Sequence, residues 1–222
     1  MHKFHENSYL TEIKTIVVGI FSENEKNCVQ VEENIFYPQG GGQKGDRGKL
    51  IIDGINYDVI DTIKDSYNED GILLITAEKI PDDAKGKSVG CSLDWEFRCR
   101  QMKLHTAVHL HHCLLEKIAG KSLPFPKVSA IQDGFAFNRY ESDEITPELV
   151  EKTNQVFREA IASGAEVKTY PDVEKKGFRF WECLGYKIPC GGMHVKNISE
   201  IGEVETAYNK KKGMPTVNIK LK

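Results

Sequence analysis

The first third of the chain alternates between short apolar runs and turn residues, a pattern typical of β-strands joined by hairpins. Asp53-Gly54 and Asp70-Gly71 separate three of these runs, and Asp-Gly pairs in that position favour tight hairpin turns. No helical period interrupts the pattern, so we predict a small N-terminal β-barrel-like domain over residues 1–88. The predicted strands cover residues 15–20, 27–31, 50–53, 57–63 and 72–76.

The strongest helical pattern runs through residues 93–115. Apolar side chains recur there three or four positions apart, and no proline lies between Cys91 and Lys121. Gly120 and Pro124 supply the expected end of the helix. We therefore predict one long helix at the start of the second domain.

The rest of the chain mixes helical and strand patterns, which predicts an α+β domain over residues 89–222. Thr146 suits the N-cap of a further helix and Pro147 its first position. Asp133-Gly134 favours a hairpin turn. The predicted elements are a hairpin over 127–140, a helix over 147–162 and strands over 166–170 and 216–221.

Composition indicates a soluble, cytoplasmic protein with no membrane partner. No apolar run approaches the roughly 20 residues of a membrane span, and the first residues, M-H-K-F-H-E-N, lack the apolar stretch of a secretory signal. The six cysteines are scattered, which favours reduced thiols over a disulfide framework. The chain of 222 residues carries a net charge of −3, but residues 171–222 contain ten basic and six acidic side chains, which suits a phosphate-bearing partner.

Two half-sites with the same spacing predict a metal centre. His105 and His109 lie four residues apart on the predicted helix, so both imidazoles share one face. Cys190 and His194 repeat the offset in C-G-G-M-H. Three imidazoles and one thiolate favour Zn²⁺ over magnesium or calcium, and we predict one zinc ion per chain.

The surroundings of these residues argue against two common classes of zinc protein. Thr106 follows His105 where a zincin-type protease has its glutamate, so the helix offers no adjacent general base. The wide separation of the half-sites does not fit a zinc finger. Whether all four ligands close a structural site or one position opens to water or substrate stays undecided by the sequence.

A glycine run, Gly40-Gly41-Gly42, precedes Gln43 in the β-rich region. It lacks the spacing of a P-loop or a dinucleotide fingerprint, and we find no ATP-binding signature. Glycines permit close approach of backbone to a ligand. We predict that this loop lies against the metal cleft and that Gln43 projects into it.

Several motifs together carry a family resemblance. The editing domain of alanyl-tRNA synthetase resembles residues 94–110 (D-W-E-x-R-x-R-x-M-x-x-H-T-A-x-H-L), 190–195 (C-G-G-x-H-V) and 200–202 (E-I-G). The Gly-rich region that precedes that domain resembles residues 36–48 (F-Y-P-x-G-G-G-Q-x-x-D-x-G). The chain is therefore similar to the free-standing AlaX editing proteins, in the form that keeps the Gly-rich domain and lacks a C-terminal oligomerisation domain.

The resemblance implies a zinc-dependent aminoacyl-tRNA hydrolase that removes serine, or glycine, from the acceptor end of mischarged alanine tRNA. It implies no aminoacylation activity. Three alternatives stay open. They are a non-catalytic tRNA-binding or structural zinc module, threonyl-type editing of Ser-charged threonine tRNA, and an unrelated zinc hydrolase, which would cleave simple esters without tRNA.

The resemblance and the motifs together nominate site residues beyond the metal ligands. Rejection of alanine requires a polar group that pairs with the serine hydroxyl. The family usually has threonine where this chain has Met193, whose thioether donates no hydrogen bond. The catalytic candidates are Gln43, Thr106 and Ser129, and the substrate- or tRNA-binding candidates are Gly40, Gly41, Gly42, Arg98 and Arg100.

Overall fold

The β-prone runs form a closed, antiparallel barrel of six strands in the computed structural model, which describes residues 2–23, 25–68 and 70–222. Neighbouring strands follow the order β1-β2-β5-β4-β3-β6 around the barrel. Their bounds are β1 Glu12–Glu23, β2 Lys26–Val31, β3 Gly48–Ile52, β4 Ile55–Lys64, β5 Ile72–Thr76 and β6 Ser88–Leu93. The predicted fold class, a small barrel followed by an α+β region, is confirmed.

Alternating side chains fill the barrel, because successive residues of a strand point to opposite faces. In β4, Tyr57 and Val59 point inward while Asp58 and Ile60 are exposed. Asp53 (φ 51°) and Gly54 (φ 80°) form the tight turn between β3 and β4. The buried core includes Val17, Val29, Ile35, Phe36, Leu50, Leu74, Val89 and Leu93.

The chain divides into two compact units, and the boundary between Cys99 and Arg100 falls inside the helix that follows β6. The first contains the residues up to Gly40 and Lys44–Cys99, and the second contains Gly41–Gln43 and Arg100–Lys222. Strand β6 belongs to the first unit because it pairs with both β1 and β3. The predicted boundary near residue 88 overlooked this strand, whose sequence, S-V-G-C-S-L, follows a turn-rich stretch and resembles a connection.

Asp46 and Tyr37, which flank the glycine run, are joined by hydrogen bonds in the first unit. Asp46 is fully buried, accepts a hydrogen bond from the Tyr37 backbone N–H at 2.5 Å and donates its own N–H to the Tyr37 carbonyl at 2.9 Å. Arg98, also fully buried, pairs with the Asp46 carboxylate and donates to the Ser8 and Ile35 carbonyls at 3.0 and 2.8 Å. Burial raises the pKa of the Asp46 carboxyl, and Arg98 acts in the opposite direction.

Helix α2 spans Trp95–Ala119. Asp94 precedes it, and the Asp94 carboxylate accepts the Phe97 backbone N–H at 3.0 Å. Gly120, which follows the last helical residue, has a left-handed backbone conformation. A short helix, α1 (Lys3–Glu6), precedes the barrel. In the second unit, nearly every side chain of α2 between Gln101 and Leu115 is buried. A helix buried on all sides is typical of the centre of a domain.

Two further sheets and one more long helix complete the second unit. A four-stranded sheet has the order β12-β13-β8-β7 and a three-stranded sheet the order β11-β10-β9. Thr146 caps α3 by accepting the Leu149 N–H at 3.2 Å, as predicted. The elements are β7 Val128–Ile131, β8 Phe135–Arg139, α3 Pro147–Ser163, β9 Lys168–Pro171, β10 Arg179–Cys183, β11 Tyr186–Pro189, β12 Val204–Lys211 and β13 Met214–Leu221, with 3-10 turns at Asp82–Ala84 and Ile198–Ile201.

Across the described ranges of the chain, every helix is too short or too polar to cross a lipid bilayer.

Because the Arg98–Asp46 ion pair is buried, we expect substitution of Arg98 to destabilise the protein more than substitution of a surface arginine. Removing one partner of such a pair leaves an uncompensated buried charge and costs about 3–5 kcal/mol. We expect Arg98→Ala to lower the free energy of unfolding by that amount in urea titrations followed by circular dichroism. Arg100→Ala is the matched control, because Arg100 is exposed, and it should change stability by less than about 0.5 kcal/mol. Equal effects of the two substitutions would contradict this account of the pair.

Candidate metal centre and active site

Helix α2 presents His105 and His109 one turn apart, so their rings lie side by side with centroids 4.9 Å apart. His105 is 3% exposed, whereas His109 keeps partial access to solvent. The predicted helical spacing thus brings two imidazoles to one place in the second unit.

The loop after β11 brings Cys190 and His194 to the same place. The Cys190 Sγ atom lies 3.5 Å from His105 Nε2 and 3.3 Å from His194 Nε2. The ligand atoms of His105, His109, Cys190 and His194 all lie within 4.8 Å of one another, close enough for a single metal ion. The structure therefore joins the two half-sites that 80 residues of sequence separate.

Gly192 lets the loop approach α2. A Cβ atom at this position would lie 2.1 Å from His105 Cε1 and 2.6 Å from His105 Nδ1, which no side chain tolerates. The Gly192 backbone N–H also points to Cys190 Sγ at 3.4 Å. The second glycine of C-G-G-M-H is therefore required by contact with the first histidine of H-T-A-V-H.

Burial keeps the imidazoles of the cluster neutral, which leaves their nitrogen lone pairs available to a metal ion. Burial lowers the pKa of His105 to about 4 and lowers the pKa values of His109 and His194 well below the usual range, so these imidazoles keep a lone pair at neutral pH. Burial raises the pKa of the Cys190 thiol to about 11, an effect that Arg179 partly opposes. A bound cation would reverse that shift, because metal coordination deprotonates a thiol.

Gln43 reaches this cluster, and it belongs to the second unit together with Gly41 and Gly42. Its side chain is 1% exposed, and its Oε1 atom lies 3.1 Å from His105 Nδ1 and accepts the Met193 backbone N–H at 2.9 Å. Its Nε2 atom is buried and has no hydrogen-bond partner within the described residues. Gln43 is thus adjacent to a candidate ligand and holds one unused donor.

Thr106 was a candidate for recognising the serine hydroxyl of the substrate, but its own hydroxyl contacts protein groups. Its side chain is fully buried, and its hydroxyl lies 2.9 Å from the Met102 carbonyl, 3.1 Å from His194 Nδ1 and 3.3 Å from the Val195 N–H. These three contacts use the one donor and two acceptor positions of a hydroxyl. The side chain therefore has no hydrogen-bonding position left for a substrate, which corrects the sequence-based role.

Ser129 is exposed on β7, next to the glycine-rich loop. Its hydroxyl bonds to Asn138 on β8, and Asn138 donates to the Val108 carbonyl of α2 at 3.1 Å. The Gly42 carbonyl accepts the Ile131 N–H at 2.9 Å, and a Cβ on Gly42 (φ 83°) would lie 2.5 Å from the Ser129 carbonyl oxygen. Gly42 thus extends the edge of β7, and the role of Ser129 stays a prediction.

The remaining candidates fall in different environments. Arg98 is enclosed by Asp46 and backbone carbonyls, so its predicted contact with tRNA is corrected to a structural role within the first unit. Arg100 is exposed. Gly40 belongs to the first unit, where its carbonyl accepts the Tyr37 hydroxyl at 3.3 Å, and Gly41 has open space around its Cα.

Strand β10 supplies two neighbours of the cluster that the sequence did not single out. The fully buried Trp181 stacks on His109 with ring centroids 5.5 Å apart. Arg179 is 8% exposed, and its carbonyl accepts the Cys190 N–H at 2.9 Å. Both residues share the inner face of the strand with Cys183, a period-two pattern that is visible in R-F-W-E-C once the strand is known.

Comparison with known proteins identifies the family. The chain is 30% identical over 207 residues to the alanyl-tRNA editing protein AlaX-M of Pyrococcus horikoshii, an alignment that covers 91% of this chain and 88% of that protein. This chain belongs to the AlaX family. The resemblance that the motifs indicated is thereby confirmed, although no family model matches the chain.

Longer relatives of this AlaX chain match it over only part of their length. AlaX-L of Pyrococcus horikoshii is 26% identical over 235 residues, which cover 95% of this chain and 55% of that protein. The alanine–tRNA ligase of Methanococcus aeolicus is 28% identical over 225 residues, which cover 91% of this chain and 23% of the ligase. The AlaX chain thus corresponds to a segment of each of these larger proteins.

The close approach at Gly192 predicts a specific loss of metal binding. We expect Gly192→Ala to displace the His105 ring and to weaken metal binding roughly 10- to 100-fold, a loss comparable to that caused by removing a group that orients a ligand. Competition with a chromophoric chelator measures this affinity.

Gly191→Ala is the matched control, because a Cβ at Gly191 meets nothing within 4 Å. It should bind the metal as tightly as the parent chain. If both alanine variants kept the parental affinity, the packing of Gly192 against His105 would have no bearing on the metal.

Proposed function

We propose that this chain is a zinc-dependent aminoacyl-tRNA hydrolase that removes serine, or glycine, from mischarged alanine tRNA. The single observation that carries the proposal is the cluster of His105, His109, Cys190 and His194 in a chain of the AlaX family. Its relatives are named as alanyl-tRNA editing proteins. The proposed partner is the acceptor end of tRNA, and the proposed location is the cytoplasm.

Zinc is supported by both the geometry and the chemistry of the donor set. In a tetrahedron, zinc–nitrogen bonds of ~2.0–2.1 Å and a zinc–sulfur bond of ~2.3 Å place the sulfur ~3.5–3.6 Å from each nitrogen. Cys190 Sγ lies 3.5 Å from His105 Nε2, which matches that separation, and 3.3 Å from His194 Nε2, which is slightly shorter. Three imidazoles with a thiolate are ligands typical of zinc.

The proposed division of labour leaves little chemistry to the protein side chains. An aminoacyl ester is an activated substrate, so the site needs mainly to bind the 3′ end, orient water and exclude alanine. Zinc supplies a Lewis-acidic centre when bound. Glycine-rich backbone at Gly41 and Gly42, the exposed Ser129 and the exposed Arg100 are the proposed substrate contacts of the chain itself.

Gln43 is the residue proposed to recognise the serine hydroxyl. A buried donor without a partner costs about 1–3 kcal/mol, so the Gln43 Nε2 atom requires an acceptor from water or substrate. A hydroxyl supplies that acceptor and a methyl group does not. Sites that bond to a hydroxyl discriminate against its absence far better than apolar pockets of the right size.

One alternative has a specific observation in its favour. Four protein ligands around one zinc ion are typical of structural sites, which lack an open position. In that reading the chain binds tRNA without cleaving it. The threonyl alternative, hydrolysis of Ser-charged threonine tRNA, predicts the same metal site and differs only in the tRNA that is accepted.

A deacylation panel tests the proposed function. The purified chain is incubated with Ser-, Gly- and Ala-charged alanine tRNA and with Ser-charged threonine tRNA, and release of the amino acid is followed over time. We expect hydrolysis of Ser- or Gly-charged alanine tRNA, little hydrolysis of the Ala-charged form, and loss of activity after chelation with recovery on addition of zinc.

The other outcomes of the panel are equally informative. Tight binding of every tRNA without hydrolysis would replace the proposal with the non-catalytic module. Preference for Ser-charged threonine tRNA would replace it with the threonyl alternative. Cleavage of simple esters at the same rate as charged tRNA would point to an unrelated hydrolase.

Replacing Gln43 by glutamate separates its two hydrogen-bonding functions. Gln43→Glu keeps an oxygen for His105 and Met193 but removes the Nε2 donor. We expect metal binding to be retained and hydrolysis of Ser-charged alanine tRNA to fall about 10-fold, the equivalent of one hydrogen bond of about 1–1.5 kcal/mol. Gln43→Ala, the comparison variant, should also weaken metal binding because it leaves two buried donors unpaired. An unchanged rate for Gln43→Glu at sub-saturating substrate would remove the donor from the mechanism.

A further inference from the structure

Thr106 links the two half-sites of the cluster through a single oxygen atom. It lies on α2 next to His105, yet its Oγ1 contacts residues of the Cys190–His194 loop 88 and 89 positions away. Its side chain is fully buried. The helix and the loop therefore share one hydroxyl group in addition to any metal.

The hydrogen-bond inventory assigns each of its contacts a direction. A hydroxyl donates one hydrogen bond and accepts two. The Met102 carbonyl, 2.9 Å away, can only accept, and the Val195 N–H, 3.3 Å away, can only donate. The remaining partner, His194 Nδ1 at 3.1 Å, must therefore donate, because the single hydroxyl proton already points to Met102.

That direction fixes the tautomer of His194. A neutral imidazole carries its proton on one nitrogen and a lone pair on the other. With the proton on Nδ1, the lone pair lies on Nε2, the atom that faces Cys190 Sγ at 3.3 Å. The hydroxyl thus selects the form of His194 in which the correct nitrogen faces the metal position.

We propose that Thr106 is a positioning residue that holds His194 in its metal-binding tautomer and fixes the Cys190–His194 loop to α2. The inference rests on metal binding in the proposed function and goes beyond it by giving Thr106 a role that involves no contact with substrate. Groups that orient a ligated histidine typically change metal affinity 10- to 100-fold when they are removed.

Thr106→Val tests the role because it keeps the shape of the side chain and removes the oxygen. We expect the affinity for Zn²⁺, measured by competition with a chromophoric chelator, to fall roughly 10- to 100-fold. We also expect the visible absorption bands of the Co²⁺-substituted variant to shift, because the orientation of one ligand changes. Thr106→Ser keeps the oxygen and should restore both the affinity and the spectrum.

Thr153→Val is the matched control for loss of a buried helical hydroxyl. Thr153 on α3 is also fully buried, and its hydroxyl donates to the Leu149 carbonyl at 2.8 Å. The substitution should leave the Zn²⁺ affinity and the Co²⁺ spectrum unchanged. Parental affinity and spectrum in Thr106→Val would overturn the proposal, as would equal losses in the two valine variants.

A measurement on the unaltered chain covers the case in which Thr106→Val fails to fold. Long-range ¹H–¹⁵N spectra of the Zn²⁺-loaded protein report which nitrogen of His194 carries the proton. We expect protonated Nδ1 and metal-bound Nε2, and the reverse assignment would refute the inference. These measurements do not use tRNA, so they stand apart from the deacylation panel, whose failure would leave the role of Thr106 in metal binding unaffected.

Discussion

The burial of α2 on nearly every side constrains the whole second unit. Buried polar groups must find hydrogen-bond partners, and each unpaired group costs free energy. Four buried polar side chains of the helix each have a polar partner: His105 contacts Gln43, Thr106 contacts His194, His111 contacts Asn154 at 3.1 Å and His112 contacts Tyr140 at 3.3 Å. The second ring nitrogens of His111 and His112 have no partner among the described residues. The positions of the glycine-rich loop, of α3 and of the end of β8 are thus coupled to the polar side chains of one helix.

The side chains that contact the candidate ligands in this environment are neutral. Gln43 Oε1 and Thr106 Oγ1 each contact the Nδ1 atom of a histidine, and each also accepts a backbone N–H from the loop, that of Met193 or Val195. Carboxylates in these positions would make the imidazoles stronger donors to a metal. With neutral oxygens and a single thiolate, a divalent ion held by the four residues would keep a net positive charge. Such a charge suits the polarisation of an ester or a water molecule.

The elements that could be predicted from the sequence are those with local causes. The spacing of apolar residues predicted α2, and Thr146 predicted the start of α3. Asp-Gly pairs predicted the turns of the β3–β4 and β7–β8 hairpins. The strands β6, β10, β11 and β12 were missed, because their sequences are short or polar and their pairing depends on distant partners. The half-sites of the cluster were recognisable by their spacing. The ion pair of Arg98 with Asp46, 52 positions away, was not, since no local pattern distinguishes an arginine that will be buried from one that will face solvent.

Met193 shows how the site accommodates a departure from the threonine that the family resemblance led us to expect. The residue is 3% exposed, and it contributes its backbone N–H, which donates to Gln43 Oε1 at 2.9 Å. Every residue except proline offers that donor, so replacing threonine with methionine leaves this contact intact. Thr106 is also committed to protein partners, which removes a second hydroxyl from contact with substrate. Gln43 Nε2 and Trp181 Nε1 are both buried donors beside the cluster that lack an acceptor among the described residues. Of the two side chains, only Gln43 also makes a hydrogen-bond contact with a candidate ligand, His105, which is why we propose it as the group that distinguishes serine from alanine.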